Sequence, residues 1–465
     1  MEVKIVEDVK NTECDVLIIN KFKDKDTSND LANRFLPEDF EGKKGEIFTI
    51  HTHKQQPSEN ILVIGLGEEK ELNANTIRES VSKAIKKCAA LKAKKVGILF
   101  DTGFEYEAPA ILGANIANYH FDKYKTKKEH RISELYLSNV KNELVTKAIT
   151  VAESMKLSRN LANEPAAFAT PTKLAQIAQD IEGIETEVFN QAKIEEMGMG
   201  AYLAVAKGSS EPPKFIHMKY IPQNPKKRIA IIGKGLCFDS GGLDIKPANS
   251  MLTMKDDMSG AASVLGVMKA VAKLKPEVEV HGIIAACENM PGCGAYKPGD
   301  ILTAMNGKTI EVDNTDAEGR LTLADALCYA CKLNVDEVID IATLTGACMV
   351  ALGTAASGIM GNNEEFIKNI IETGKLVGEK YWQLPMWQEY RDNMNSDVAD
   401  MKNTGTRYGG ASAAGMFLKE FVTDNVKWAH LDVAGTAFLE KPQKEFCCKG
   451  SAAAGVRTLI KYIVG

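Results

Sequence analysis

The chain is organised around the stretch Asn314-Thr315-Asp316-Ala317-Glu318-Gly319-Arg320, which sets two carboxylates and a guanidinium at alternate positions. An apolar β-branched run, residues 309–312, precedes it, and a helical pattern, residues 321–329, follows it. We therefore predict a loop between a strand and a helix, in which alternate side chains of extended backbone point the same way. Two carboxylates that face one point repel each other unless a cation lies between them. That cation is either Arg320 or a divalent metal ion, and the stretch alone leaves both alternatives open.

A second stretch favours a metal. Residues 229–233, Ile-Ala-Ile-Ile-Gly, form a short apolar run that ends in glycine and is typical of a buried parallel strand. The residues that follow include two lysines and three acids, which are Lys234, Asp239, Lys246, Asp256 and Asp257. In open α/β sheets, functional sites form at the carboxyl ends of strands. Carboxylates at two strand ends provide the layout of a two-metal site, in which bridging carboxylates hold the ions ~3.5–4 Å apart.

The residues alone also allow two other functions, nucleotide binding and catalysis by a serine nucleophile. The glycines at 233, 235, 241 and 242 fit neither phosphate-binding loop pattern, so the indication of nucleotide binding is weak. Ser240 and Ser259 lie outside any G-x-S-x-G pattern, which gives little support to a serine nucleophile. For Lys234, an ion pair with acids is preferred to a neutral amine ligand, because the latter needs a strongly lowered pKa. Oxygen-rich ligands suit Mg, Mn or a hard Zn site.

The composition is that of an ordinary globular protein. The chain has 465 residues, of which 45% are hydrophobic and 26% charged, and this length predicts two or three domains with a large core. The net charge of −5 argues against nucleic acid as an obligate partner, although a local patch could bind it. The basic run at residues 121–130 is the candidate patch, and we favour a solvated connector there.

Several features predict a cytoplasmic protein. The first residues, Met1-Glu-Val-Lys, lack the apolar core and cleavage site of a secretion signal. The ten cysteines are scattered, which fits reduced thiols better than a disulfide framework. Cys328 and Cys331 match C-x-x-C inside a predicted helix, where we favour half-buried helix residues over a zinc or redox site. Residues 341–360 carry no charge but are rich in Gly, Ala, Ser and Thr, so we expect a buried strand and helix and no membrane span.

The order of predicted elements indicates an α/β fold. Residues 1–141 alternate short strands and helices and predict a small N-terminal α/β domain, in which Thr76 and Glu79 have the spacing of a capping box. Residues 142–162 predict a linker helix, and Thr170-Pro171 predicts the start of the next helix. Residues 163–465 are expected to form a larger C-terminal catalytic domain. Its alternating strands and helices, with residues 309–312 among the strands, indicate an α/β/α sandwich with a mostly parallel central sheet.

The stretch from Asn314 to Arg320 also resembles the signature of the leucyl aminopeptidase family, the two-metal cytosol aminopeptidases. The resemblance includes further segments in the same order, which are Gly233-Lys-Gly-Leu-Cys-Phe-Asp-Ser-Gly-Gly242, Ile245-Lys-Pro247, residues 254–258, Glu288-Asn-Met-Pro291, Pro298-Gly-Asp300, Ala342-Thr-Leu-Thr-Gly-Ala347 and His430-Leu-Asp-Val-Ala-Gly435. It implies a metal-dependent aminopeptidase of broad specificity, which releases leucine and other apolar residues from peptides with a free N-terminus.

The family's functional residues carry over to matching positions. Those implied to bind two divalent ions are Lys234, Asp239, Asp257, Asp316 and Glu318. Asp239 and Glu318 would reach both ions, for which Mn and Zn are the first candidates and Mg and Co the next. The ions would acidify a bridging water to hydroxide and polarise the scissile carbonyl. Lys246 would stabilise the oxyanion, and Arg320 would hold a bicarbonate ion that serves as general base. The substrate's free α-amine would bind one metal and Asp257, which restricts cleavage to the N-terminal residue.

The resemblance also implies a pocket for the first side chain of the substrate. Its lining residues would be Met254, Thr343, Leu344, Gly346, Ala434 and Ala437. Ala437 is smaller than the methionine that some family members carry there, so we expect a roomier pocket without a strict leucine preference. Family members are homohexamers, and the resemblance implies the same assembly for this chain.

Overall fold

The computed structural model describes residues 1–102, 105–443, 445–446 and 448–465. It divides into two compact units, of which the first comprises Met1–Glu153 with Leu439–Lys449 and the second Ser154–Phe438 with Gly450–Gly465. The division falls inside a long helix, Asn142–Asn163, between the boundaries predicted at residues 141 and 163. No sequence pattern indicates that residues 439–449 belong with the first unit.

The first unit is built on a six-stranded sheet. Its strands are β1 (Glu2–Ile5), β2 (Val16–Phe22), β3 (Ile47–His51), β4 (Asn60–Gly67), β5 (Lys95–Leu99) and β6 (Glu134–Leu137), and its helices before residue 142 are α1 (Asp30–Phe35), α2 (Ala74–Ala90) and α3 (Glu107–Ala117). The strand order is β1-β6-β5-β2-β4-β3, in which β3 is antiparallel to β4 and the other pairs are parallel. Alternate residues of β2 enter two different buried clusters, as expected for a sheet covered on both faces. This confirms the predicted small α/β domain.

Helix α2 begins earlier than its sequence pattern predicts. Its N-cap is Asn73, whose side chain accepts hydrogen bonds from the backbone N–H groups of Asn75 and Thr76. Thr76 is therefore already inside the helix, and the capping box predicted for Thr76 and Glu79 is wrong. Asn and Thr are both good N-caps, so the spacing alone did not separate the two candidates.

The second unit is built on an eight-stranded sheet and many helices. The strands after residue 154 are β7 (Glu185–Phe189), β8 (Lys214–Tyr220), β9 (Lys227–Asp239), β10 (Val278–Asn289), β11 (Ile301–Thr303), β12 (Thr309–Glu311), β13 (Glu337–Ala342), β14 (Ser357–Gly361), β15 (Tyr381–Gln383), β16 (Met401–Lys402), β17 (Lys427–Asp432), β18 (Phe438–Leu439) and β19 (Gly450–Ser451), of which β18 and β19 form a separate two-stranded sheet. The remaining α-helices are α4 (Asn142–Asn163), α5 (Pro171–Gln179), α6 (Gln191–Glu196), α7 (Gly200–Ala206), α8 (Ala248–Met251), α9 (Ser259–Leu274), α10 (Gly319–Cys331), α11 (Gly346–Leu352), α12 (Glu364–Val377), α13 (Gln388–Asp392), α14 (Gly410–Lys419) and α15 (Val456–Val464). The 3-10 helices are Val9–Asn11, Glu69–Glu71 and Met254–Asp256.

The large sheet has the predicted parallel centre. Its order is β15-β14-β17-β13-β9-β10-β8-β7, and the four central strands from β17 to β10 are parallel. Antiparallel pairs attach β14 on one side and β8 and β7 on the other. Thr170 caps α5 with its side chain on the N–H of Lys173, and Pro171 is the first helical residue, as predicted.

Two strands differ from the sequence prediction. The strand predicted at residues 229–233 continues as β9 through Lys234 to Asp239, because β10 pairs with it up to Asn289. Residues 309–311 form β12, but this strand lies in a separate three-stranded sheet with β11 and β16, so its assignment to the central sheet is wrong. The acidic loop before α10 is therefore supplied from outside the large sheet.

Residues 341–360 contain the end of β13, helix α11 and most of β14, so the predicted strand and helix are present. The strands are buried as expected, but α11 is not: Cys348 is its one buried residue, and Val350 is 89% exposed. Within the described ranges, no helix combines the length and apolar character needed to cross a membrane.

For the basic run at residues 121–130 and for the pair Cys328 and Cys331, the structure fits the interpretation that the sequence favoured. In the basic run, Lys128 donates to the carbonyl oxygens of Asp122 and Lys123, and Lys125 pairs with Glu129 at 3.1 Å. These internal contacts fit a connector. Cys328 and Cys331 lie on α10 as free thiols, the first buried and the second half-buried.

Two buried histidines form a hydrogen-bonded chain beneath α10. His217 Nε2 lies 2.9 Å from His281 Nδ1, and His281 Nε2 lies 2.9 Å from a Glu279 oxygen. The hydroxyl of Tyr329, on α10, lies 2.8 Å from His217 Nδ1. A carboxylate has no proton to give, so His281 donates through Nε2 to Glu279. Burial, reinforced by the neighbouring His281, lowers the pKa of His217 to about 3.

We predict that His217 makes the fold sensitive to acid. Unfolded His titrates near ~6.5, so as pH falls below that value the unfolded chain takes up a proton that folded His217 refuses, down to about 3. The stability conferred by neutral His217 is therefore present above pH ~6.5 and is lost by about 1.4 kcal/mol for each pH unit below it. In His217→Gln, which is neutral and can donate and accept, this part of the pH dependence should vanish. The measurement is urea unfolding of both proteins with chelator at pH 7, 6 and 5, and a wild type–variant difference that does not change with pH would contradict it.

Candidate metal centre

Five charged side chains predicted to act together meet near the carboxyl ends of β9 and β13. They are Lys234 and Asp239 on β9, Asp257 directly before α9, and Asp316 and Glu318 directly before α10. Asp316 is half-buried and the other four are buried. Burial of this many charges is costly unless each one has a partner of opposite sign.

Two lysines provide those partners. Lys234 Nζ lies 2.8 Å from both Asp257 oxygens and 2.9 Å from Glu318 Oε1, which is the ion pairing that residue chemistry alone favours. Lys246 Nζ lies 2.8 Å from Asp239 Oδ2 and also contacts Asp316 Oδ1. Four carboxylates thus share two ammonium groups, so the cluster keeps an excess of negative charge.

The pKa values of Asp239, Asp257 and Asp316 are raised, as this excess predicts. The pKa of Glu318 is lowered, because the charges of the two lysines outweigh the effect of its burial. Burial, reinforced by the Glu318 charge, raises the pKa of Asp239 to about 6, and burial raises the pKa of Asp257 well above its usual value. Burial disfavours the charged form of Lys234, but the charges of Asp257 and Glu318 outweigh it and raise its pKa. Apart from Glu318, the carboxylates are therefore short of positive charge, and the Lys234 ammonium is held in its charged form.

The oxygen atoms fit a divalent metal ion. A carboxylate oxygen from each of Asp239, Asp316 and Glu318 lies within 4.8 Å of the other two. Glu318 is only 1% exposed, yet its Oε2 has no hydrogen-bond partner among the described residues. A buried acceptor without a partner is costly, and a hard cation that prefers carboxylate oxygens would satisfy it.

Arg320 is not the cation between the two loop carboxylates. Its NH1 group donates to the carbonyl oxygen of Asn403 at 2.8 Å, and its guanidinium carbon lies 5.9 Å from the ring centre of Phe417. In the part of the chain that the structure describes, no carboxylate lies within ion-pair distance of Arg320, and burial lowers its pKa to about 10. The charges of Glu318 and Asp432 oppose this lowering.

Of the predicted pocket residues, Thr343 contacts the charged cluster directly, and Leu344 and Ala434 share a hydrogen-bond acceptor. The Thr343 carbonyl accepts from Lys234 at 3.0 Å, and its hydroxyl donates to Asp257 at 2.8 Å, so Thr343 touches the charged cluster. Leu344 and Ala434 both direct their N–H groups to Asp432 Oδ1, at 3.3 and 3.2 Å. The others are Met254, half-buried on a 3-10 helix, Gly346, exposed at the start of α11, and Ala437, buried.

Several polar residues that hold this centre were missed by sequence analysis. Asn403 donates through Nδ2 to the Asn314 carbonyl at 2.7 Å and accepts from the N–H of Asp313 at 2.8 Å, while its own carbonyl holds Arg320. Asn289 and Thr315 join the loop after Asp239 to the loop before Glu318. Asn289 and Thr315 fell inside quoted motifs, but nothing in the pattern around Asn403 distinguishes it from an ordinary turn asparagine.

Comparison with known proteins agrees with this geometry. The model of the catalytic domain of the cytosol aminopeptidase family matches residues 156–460, and that of its N-terminal domain matches residues 5–128. A probable cytosol aminopeptidase of Aquifex aeolicus is 45% identical over 95% of this chain and 91% of its own length. One of Persephonella marina is 46% identical over 91% of this chain and 89% of its own length.

Two solved structures share the fold along nearly the whole chain. A mutant of tomato leucine aminopeptidase is 34% identical with a TM-score of 0.88, and the match covers 100% of this chain and 96% of the tomato chain. A bottromycin maturation enzyme in complex with Mn is 30% identical with a TM-score of 0.89, covering 97% of this chain and 98% of that enzyme. The chain belongs to the cytosol aminopeptidase family, and it is an aminopeptidase, a hydrolase of peptide bonds.

We predict that Lys234→Met destabilises the metal-free protein. Removal of the ammonium leaves the buried charges of Asp257 and Glu318 without a partner, which should lower the free energy of unfolding by about 3–5 kcal/mol at pH 7. Lys419→Met, which removes an exposed lysine from α14, is the control and should change it by less than about 0.5 kcal/mol. Urea unfolding in the presence of chelator measures both. Equal stability of the two variants would contradict the role of Lys234.

Proposed function

We propose that this aminopeptidase depends on two divalent metal ions and releases leucine and other apolar residues from the free N-termini of peptides. The observation that carries the proposal is the buried group of Asp239, Asp316 and Glu318, with the unpartnered Glu318 Oε2 among them. When bound, the ions supply a hydroxide nucleophile at neutral pH and polarise the scissile carbonyl. Mn and Zn are the first candidates, and the solved relative in complex with Mn supports Mn; Mg and Co come next.

Each ligand has a place in this proposal. Asp239 and Glu318 would reach both ions, as the family resemblance implies; Glu318 pairs with Lys234 and Asp239 with Lys246. Lys234 and Asp257, which already contact each other, would serve one ion, and Asp316 the other. Lys234 would bind as a neutral amine, because two nearby cations strongly disfavour its protonated form.

The two other charged residues would act on the substrate. Lys246 is 14% exposed in its side chain and lies against Asp239 and Asp316, so its ammonium is placed to donate to the oxyanion that develops on the scissile carbonyl. Arg320 would hold a bicarbonate ion with its remaining N–H groups, and the proton of the attacking water would be accepted there. The absence of a carboxylate at Arg320 among the described residues supports this role.

Restriction of cleavage to the N-terminal residue would come from Asp257. Asp257 would accept a hydrogen bond from the free α-amine, which only the first residue of a peptide has. The side chain of that residue would enter the pocket of Met254, Thr343, Leu344, Gly346, Ala434 and Ala437. Thr343 contacts Asp257 directly, which places the pocket wall beside the proposed amine site.

The proposal also includes the domain organisation, the cellular location and the assembly of the enzyme. Residues 163–465 would be the catalytic domain, joined by a linker helix at 142–162 to an N-terminal domain at 1–141. We propose a cytoplasmic homohexamer; the cytoplasm is supported by the names of the relatives and by the free cysteines of the described residues, and the hexamer by the family resemblance alone.

The central test is the dependence of activity on metal and on Asp316. Hydrolysis of leucyl arylamide should be lost on chelation and restored by added Mn, Zn, Mg or Co. Asp316→Asn should lose both bound metal and activity by at least about 100-fold, because it removes a charged ligand. Asp313→Asn, an exposed acid of the same loop, should keep both. An Asp316→Asn variant with full activity would end the assignment.

The ranking of substrates tests the pocket. Apolar pockets separate similar side chains by only ~1–3 kcal/mol per methylene, so leucyl and methionyl arylamides should have kcat/KM values within about ten-fold of each other, and alanyl arylamide a lower one. The assay uses the Mn-loaded protein and a common leaving group. A leucyl-to-methionyl ratio above about 200 would contradict the roomy pocket expected from Ala437.

A further inference from the structure

Thr315 lies between the two loops that carry the proposed metal ligands, and it is fully buried. Its N–H donates to Asp244 Oδ2 at 2.7 Å, and its hydroxyl donates to the Gly241 carbonyl at 2.7 Å. The N–H of Asp244 in turn donates to the Thr315 hydroxyl oxygen at 2.8 Å. The Thr315 hydroxyl also lies 3.1 Å from Asp244 Oδ2, so four hydrogen-bond contacts at one residue join the loop after Asp239 to the loop before Glu318.

The carbonyl of Thr315 makes the second half of this connection. It accepts from the Tyr296 hydroxyl at 2.8 Å and from Asn289 Nδ2 at 3.0 Å. The same Asn289 nitrogen donates to Asp239 Oδ1 at 2.9 Å, and Asn289 is fully buried at the end of β10. One side-chain amide therefore links a proposed bridging ligand to the opposite loop.

The two loops are in close van der Waals contact at Gly242. Gly242 has φ of +67°, and a Cβ atom there would lie 3.0 Å from the Thr315 hydroxyl oxygen and 2.9 Å from Asn289 Oδ1. Only glycine accommodates this conformation and approach at low cost. The distance between the loops is therefore fixed by direct contact as well as by hydrogen bonds.

Charge works against this arrangement. Asp239 on one side and Asp316 and Glu318 on the other repel each other, and the two lysines compensate only part of the charge. The hydrogen bonds at Thr315 oppose the repulsion without adding a metal ligand, and the one from its N–H to the exposed Asp244 carboxylate is charge-assisted. We propose that Thr315, with Asp244 and Asn289, is a positioning residue that holds the two ligand loops at the separation a metal pair requires. This inference rests on the proposed function.

The matched variants are Thr315→Val and Thr315→Ser. Valine keeps the branched shape but removes the hydroxyl, which leaves the Gly241 carbonyl and the Asp244 N–H without their partner. Serine keeps the hydroxyl. Residues that orient metal ligands typically contribute 10–100-fold to metal affinity, so Thr315→Val should bind Mn about 10–100-fold more weakly than wild type, and Thr315→Ser within about three-fold of it.

The readout is Mn binding itself, measured by calorimetric titration of the full-length, chelator-treated protein, with thermal unfolding of the same metal-free samples. A purely structural role predicts a lower Tm for Thr315→Val with unchanged Mn affinity, and that result would overturn the inference. Equal impairment of Thr315→Ser and Thr315→Val would also overturn it, since the hydroxyl would then not matter.

Asp244→Ala covers the case in which Thr315→Val does not fold. The Asp244 side chain is exposed, so its removal disturbs no core packing but takes away the acceptor of the Thr315 N–H. About ten-fold weaker Mn binding is expected, and unchanged binding would count against the inference. Wild-type protein that binds no Mn, Zn, Mg or Co would overturn the proposed function instead, and the positioning role with it. The wild-type arm therefore separates the two failures.

Discussion

The ion pairing of Lys234 with Asp257 and Glu318 is the interaction on which the centre of this protein depends. Two buried carboxylates, one before α9 and one before α10, lie within 2.9 Å of the Lys234 nitrogen on β9. Without the ammonium, the carboxylates would have to be protonated or exposed. Its position on β9 follows from the extension of that strand past its apolar run, which pairing with β10 enforces. A lysine inside a strand is thus placed where two separate helices begin.

The small number of positive charges also explains the rest of the site. Lys246 serves Asp239 and Asp316, while Arg320 is held apart by the Asn403 carbonyl and the Phe417 ring. The acids therefore have no guanidinium partner in the described structure, and one Glu318 oxygen has no donor at all. A divalent cation would compensate the charge and leave the lysines for other tasks. This is the physical link between the fold and the metal dependence that we propose.

Local sequence patterns located what depends on local chemistry. The apolar run at 229–233, the Thr170-Pro171 helix start and the alternating acids before α10 all follow from neighbouring residues, and all were found. Features that depend on distant partners were not. The length of β9 is set by β10, and the sheet to which β12 belongs is set by β16. Asn403 acts on the acidic loop through a fold contact that no spacing encodes. At α2, two adequate caps competed, and the earlier one, Asn73, prevailed.

The candidate site shows the same division. Which acids would assemble was accessible from the alternating acids before α10 and the acids after the apolar run at 229–233. The shared sheet edge expected for them was wrong, since β12 lies in a separate sheet, and the brace at Thr315 and Asn289 needs the relative position of three loops. The most direct test of the central claim is a crystal structure of the Mn-loaded protein with anomalous scattering from Mn. The account predicts two anomalous peaks ~3.5–4 Å apart, both contacted by Asp239 and Glu318, with Lys234 Nζ moved from ion pairing to coordination. A Mn-saturated crystal with no peak among these residues, and Lys234 still paired with Asp257, would contradict it.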